Sequence, residues 1–203
     1  MIKKATKASS LKKDLAKQAV GDNANVVGTP LHWAVAYGSM DAVKELLGAG
    51  ASLKSPGFRK GSPLHTAVLV GLEEAVQVLL EAGASLKAKS EDGSTPLHWA
   101  AGVAPMNNAN VAITKLLLDA GAPLELKAKG HFKGFTPLFY AARVGNVPVI
   151  KLLLKAGADI DAQTEDGVTA EMVAAHEKHQ EAVEAFQEHR VDDAPSYTIN
   201  DEL

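Results

Sequence analysis

The stretch Thr29-Pro30-Leu31-His32-Trp33-Ala34 decides the fold, because it comes back along the chain. It returns as Ser62-Pro63-Leu64-His65-Thr66-Ala67, as Thr95-Pro96-Leu97-His98-Trp99-Ala100 and as Thr136-Pro137-Leu138-Phe139-Tyr140-Ala141. A worn fifth copy reads Thr169-Ala170-Glu171-Met172-Val173-Ala174. The intervals between copies are 33, 33, 41 and 33 residues. Self-similarity at such a period marks an array of small units, none of which can bury its apolar face alone.

Each unit can be read mechanically. Thr29 is a good N-cap, since its hydroxyl can accept from a free backbone N–H of the first turn. Pro30 sits at the first helical position, where its missing donor costs nothing. Leu31, Ala34 and Val35 follow at helical spacing and form one apolar face. Gly38 ends this short helix, and a second begins near Met40, carrying Val43, Leu46 and Leu47 to a stop at Gly50. The stop recurs as Ala82-Gly83-Ala84, Ala120-Gly121-Ala122 and Ala156-Gly157-Ala158, each after a Leu pair. A polar linker of about a dozen residues follows each stop. Asp92-Gly93 and Asp166-Gly167 predict tight hairpins in two of these linkers.

The period and the hexamer together resemble the ankyrin-repeat family, over roughly residues 22 to 190. The resemblance implies an all-α ankyrin solenoid of right-angled, L-shaped helix-turn-helix units with hairpin fingers. The expected organisation is an N-terminal arm and capping helix over 1–28, in which Leu11 and Leu15 share a face. Five repeats then follow, at about 29–61, 62–94, 95–135, 136–168 and 169–190. An acidic tail over 191–203 completes the chain, with Asp192, Asp193, Asp201 and Glu202 and no basic residue. In the family the His of the hexamer bonds to backbone of neighbouring loops. That role is expected for His32, His65 and His98, and is lost at Phe139.

The third unit is longer by eight residues. Five fall between its helices, around Ala104 to Asn110, and three lengthen the finger around Lys127 to Phe135. Insertions in an array map to loops, often on the binding face.

The ten aromatic residues are unevenly placed. Trp33, Tyr37, Phe58, Trp99, Phe132, Phe135, Phe139 and Tyr140 lie in fingers or first helices, and the second helices of the first four repeats have none. In ankyrin complexes those elements line the concave groove, so the resemblance puts the aromatics on the partner-facing side. Trp33 with Tyr37, Thr66 with Val70, Trp99 with Val103 and Tyr140 with Val144 are spaced four apart and form a stripe across repeats. Arg59, Lys133 and Arg143 lie near it in the register and suit an acidic or polar-rimmed partner. The candidate partner-binding set is therefore Trp33, Tyr37, Phe58, Arg59, Trp99, Phe132, Lys133, Phe135, Tyr140 and Arg143. The alternative, that Trp33, Trp99 and Tyr140 only pack between first helices, stays open.

Composition narrows the function classes. A net charge of −3 makes no field that steers toward nucleic acid or a membrane surface, and no run is apolar enough to span a membrane. The absence of Cys removes thiolate catalysis, disulfides and Cys-based zinc sites. The basic start, Met1 to Lys7, lacks the apolar stretch of a signal peptide; cytoplasmic residence is expected, with periplasm or secretion after loss of a leader as the alternative. His176-Glu177-Lys178-His179 has its histidines three apart, where a zinc-protease helix needs four. Asp159-Ile160-Asp161 begins like a calcium loop and then fails at the third ligand and the following Gly. No phosphate-cradling glycine loop is present. No metal, cofactor or catalytic residue is assigned. The expectation is a non-enzymatic module, monomeric before it binds, that grips a folded protein in its groove. The narrower alternative is a stand-alone inhibitor or self-protection (immunity) protein capping a partner enzyme.

Overall fold

The computed structural model describes residues 28–102 and 109–192. The expected capping helix, the Lys-rich start, the five-residue insertion up to Asn108 with Val103, and the tail beyond Asp192 lie outside the described residues.

Among the described residues the chain forms ten helices in five consecutive pairs. These are α1 (Pro30–Ala36) and α2 (Met40–Gly48), α3 (Pro63–Val70) and α4 (Glu73–Glu81), and α5 (Pro96–Gly102) and α6 (Ala109–Asp119). The series continues with α7 (Pro137–Arg143) and α8 (Val147–Lys155), then α9 (Ala170–His176) and α10 (Gln180–Asp192). The first helices α1, α3, α5, α7 and α9 pack side by side as one layer, and the second helices form the other. Leu31, Leu64, Leu97 and Leu138 line the seam between the layers with no more than 1% of their surface exposed. Val43, Val76, Ile113 and Ile150 meet them from the second helices. In the first three Leu pairs the leading residue is buried and the following one half-buried, because one residue turns the helix by about 100° toward the neighbouring unit. α10 runs two residues into the stretch expected to be tail.

The Gly stops share one geometry. Gly50, Gly83, Gly121 and Gly157 all adopt left-handed backbone, with φ from 79° to 91°. The Ala after each donates back to the leading Leu carbonyl, as in Ala51 N to Leu46 O at 2.9 Å and Ala158 N to Leu153 O at 3.0 Å. This satisfies carbonyls that the helix leaves free, and only Gly enters that conformation without a Cβ clash.

The starts are held by histidine. Thr29 and Ser62 each form a reciprocal capping box with His32 and His65 in place of the usual acid or amide. The cap N–H donates to the ring Nδ1 at 3.1 Å, at Thr95 and His98 as well. A backbone N–H can only donate, so Nδ1 carries no proton and Nε2 carries it. Nε2 then donates to the far end of the finger, at the residue just before the next cap: His32 to Gly61 O at 3.3 Å, His65 to Ser94 O at 3.1 Å and His98 to Phe135 O at 3.1 Å. Burial pushes all three rings below the ordinary imidazole value, against the pull of those backbone bonds, and His65 and His98 fall to about 4. Phe139 replaces the ring in the fourth repeat, fully buried, and the hydroxyl of Thr136 is left buried without a partner.

Among the fingers, the second and fourth close in the tight turns expected at Asp92-Gly93 and Asp166-Gly167. Each finger closes on a backbone hydrogen bond, such as Gly57 N to Gly61 O at 2.7 Å or Ser90 N to Ser94 O at 2.9 Å. None builds a ladder, and the isolated bridge Gln163–Thr169 is the sole β pairing among the described residues. Gly93 and Gly167 do take the left-handed turn positions that their Asp-Gly dipeptides imply. The first and third fingers instead contain a 3-10 turn, at Phe58–Lys60 and Gly130–Phe132.

Candidate functional site

Where fingers overhang the first helices, the repeat register selects what faces out. The residue seven after each cap is Ala36, Leu69, Gly102, Arg143 or His176. The residue four after is Trp33, Thr66, Trp99, Tyr140 or Val173. Positions three apart on a helix are surface neighbours, so the two sets form adjacent columns along the layer of first helices.

Those columns and the fingers enclose a cleft of about 180 Å³ lined by residues of four repeats. One wall is Phe58, held out by the first finger and 55% exposed, edge-on to Trp99 with ring centroids 6.4 Å apart. The opposite wall is Phe132 of the long third finger, 5.4 Å from the ring of Tyr140. Leu69, 46% exposed, and Gly102 form the helical side. Gly102 keeps the cleft open: a Cβ there would stand 2.8 Å from Cδ1 of Tyr140.

The floor is a hydrogen-bonded chain that joins the repeats. Tyr140 shares a 2.7 Å hydroxyl contact with Ser94, and the Ser94 N–H donates to Asp92 Oδ1 at 3.2 Å. Asp92 Oδ1 also accepts from the Ser90 hydroxyl at 2.7 Å, and Oδ2 lies 3.6 Å from the Arg59 guanidinium. Burial works against the Asp92 charge, but the Ser90 and Ser94 hydrogen bonds, helped by Arg59, hold the carboxyl below its ordinary value. Burial raises the Tyr140 phenol, and the Ser94 bond only partly offsets it.

A second, wider cleft of about 500 Å³ lies on the far side of Phe132, between the third finger, α7 and α9. Phe135, Val168, Met172 and His176 line it, and Phe132 and Arg143 belong to both clefts. The Arg143 guanidinium sits over the Phe132 ring, its carbon 4.7 Å from the centroid.

The candidate set thus divides. Phe58, Arg59, Trp99, Phe132, Tyr140 and Arg143 converge on the first cleft, and Phe135 joins the second. Trp33 and Tyr37 stack on each other at 5.8 Å, away from both, with Trp33 Nε1 buried and unpartnered and Tyr37 74% exposed. Two members differ from their expected character. Tyr140 is only 6% exposed, because its ring fills the gap beside Gly102, so it is floor rather than contact surface. Lys133 is not a spare positive charge: its ammonium lies 2.6 Å from Glu165 of the next finger, which raises its pKa. Leu69, Asp92, Gly102, Met172 and His176 were missed. The seven-after-cap register would have found Leu69, Gly102 and His176, had spacing three been weighed beside spacing four.

The metal-like and calcium-like segments are committed elsewhere. His179 Nε2 donates to the Arg143 carbonyl at 3.1 Å, and Asp161 pairs with Arg190 at 2.8 Å.

A family model describing ankyrin repeats in three copies matches residues 5–90, 31–128, 84–164 and 103–195. The chain belongs to the ankyrin-repeat family. No curated protein matches it. Ankyrin repeats are generally protein–protein interaction modules, typically without catalysis of their own. No helix among the described residues is long and apolar enough to cross a membrane.

Proposed function

We propose that this ankyrin array binds a folded protein through the trough formed by its fingers and first helices. The observation that carries the reading is the convergence of Phe58, Leu69, Trp99 and Phe132, from four sequence-distant segments, on one open cleft. Phe58 and Leu69 hold apolar surface in water at its mouth, which a monomer gains nothing by doing. Aromatic anchors in a pre-formed pocket are what interface hot spots are made of, worth about 2 kcal/mol or more each. The stacked repeats keep the trough pre-organised, so little ordering is lost on association.

A photo-crosslinking residue placed at Leu69 tests this in an extract of the source cells, against one at Lys115 on the second-helix layer. The expected result is a single protein adduct from position 69, reduced by Phe58→Ala and absent from position 115. Adducts only from position 115 would overturn the reading. Mixing the captured protein with this chain then separates two roles: loss of its activity marks an inhibitor, and full activity marks a tether.

A further inference from the structure

Of the three cations in the candidate set, two are already matched. Arg59 faces Asp92 at 3.6 Å and Lys133 faces Glu165 at 2.6 Å. Arg143 has no carboxylate within ion-pair distance among the described residues; its Nε is buried with no hydrogen-bond partner, and its cation lies on the Phe132 ring. This Arg–Phe pair is the partition between the two clefts.

We propose that the partner presents a carboxylate flanked by apolar side chains, the carboxylate meeting Arg143 while the apolar groups enter the clefts on either side of Phe132. The inference deepens the proposed function and rests on it. The exposed apolar residues mark both ends of the trough, with Phe58 and Leu69 at one and Met172, 57% exposed, at the other. Any side chain that fills either cleft removes water from Arg143. A purely apolar partner would leave that guanidinium desolvated and unpaired, and a cationic one would add repulsion. A carboxylate supplies two acceptors in the plane of the fork, while the ring below covers only a face. The acids already present direct it to Arg143. Asp92 is satisfied by Ser90, Ser94 and Arg59. Glu177, beside His176 at 3.5 Å, lies on the lining of the second cleft and would repel a carboxylate placed deeper there.

The test selects binders from a random short-peptide display library on the immobilised full chain, then measures the synthesised winners by fluorescence anisotropy. The winners should carry Asp or Glu between apolar residues. Changing that acid to its amide should weaken binding to the unaltered chain about tenfold or more, and far less to Arg143→Gln. Arg143→Lys, which keeps the charge without the planar fork, should fall between the two and carries the comparison if Arg143→Gln melts early. Winners without an acid, an equal amide effect on the unaltered chain and the Arg143 variants, or no enrichment at all would overturn the inference. Acid-free winners that still lose affinity with Phe58→Ala would leave the trough as the binding face. Winners indifferent to both Phe58→Ala and Phe132→Leu would remove that reading too.

Discussion

At the scale of single residues, the fourth repeat isolates what the hexamer's histidine contributes. In the third repeat the Thr95 hydroxyl lies 2.8 Å from the His98 ring. In the fourth, Phe139 offers it nothing, and the Thr136 hydroxyl is buried alone. An unsatisfied buried hydroxyl costs more than an isosteric methyl, so Thr136→Val should raise stability by about 1 kcal/mol. Thr95→Val removes the hydroxyl that bonds to the His98 ring and should lower it by about 1 kcal/mol. Urea midpoints of the two variants should therefore move in opposite directions. Equal losses would show that the Thr136 hydroxyl has a partner after all.

The same rings set a pH dependence. The folded state holds His65 and His98 neutral, with values lowered from 6.5 to about 4, so between those values the unfolded chain binds more protons than the folded one. Stability is thus complete above about pH 6.5 and falls as pH drops toward 4, each ring accounting for up to roughly 3 kcal/mol. Melting temperature should be flat from neutral pH down to about 6.5 and decline below it. In His98→Gln that decline should be shallower. A steeper decline in the variant would remove the histidines from the explanation.

At the scale of elements, the fingers carry more tension than the helices. Arg59 and Lys60 both take left-handed backbone, at φ 48° and 57°, which places Phe58 outward and turns Arg59 O toward Glu91 N at 2.8 Å. Non-glycine residues there cost about 1 kcal/mol each. The Lys60–Glu91 ion pair at 3.1 Å is well exposed on both sides and offsets little of that. Lys60→Gly should therefore stabilise the protein by about 0.5–1 kcal/mol, the relief exceeding the entropy that glycine adds to the unfolded chain. A lower thermal midpoint would mean that the ion pair or the neighbouring contacts outweigh the backbone term. Arg59 is the costlier residue to test, because it also anchors the floor of the cleft through Asp92.

At the scale of the whole molecule, the helices of each unit pack chiefly against those of adjacent units, so stability and binding separate between the two layers and the outer trough. Leu97 and Leu69 make the comparison with one residue type. Leu97 is fully buried in the middle of the seam, and Leu97→Ala should cost about 2–5 kcal/mol. Leu69 is 46% exposed at the cleft mouth; Leu69→Ala should change stability by less than about 1 kcal/mol while weakening partner capture. Loss of stability at both positions with capture unchanged would contradict the division.

How much could be read beforehand follows from the range of each interaction. The Thr-Pro helix starts and the Leu-Leu-x-Ala-Gly-Ala stops need partners within about six residues, so local chemistry specifies them without a fold. The period then places equivalent residues side by side, which is why the seam was legible; the histidine bonds to loop backbone were what the family resemblance implied. The character of the trough was not. Whether Lys133 is free depends on Glu165, whether Arg59 is free depends on Asp92, and whether Tyr140 is exposed depends on the gap that Gly102 leaves. Each of those partners sits in another repeat, and its reach depends on how one finger leans on the next. The chain's own letters therefore determined a stacked array whose aromatics gather in its fingers and first helices. Packing between repeats alone decided that Arg143 would be the unmatched cation of the candidate set, because pairing at that distance is a matter of geometry rather than of spacing.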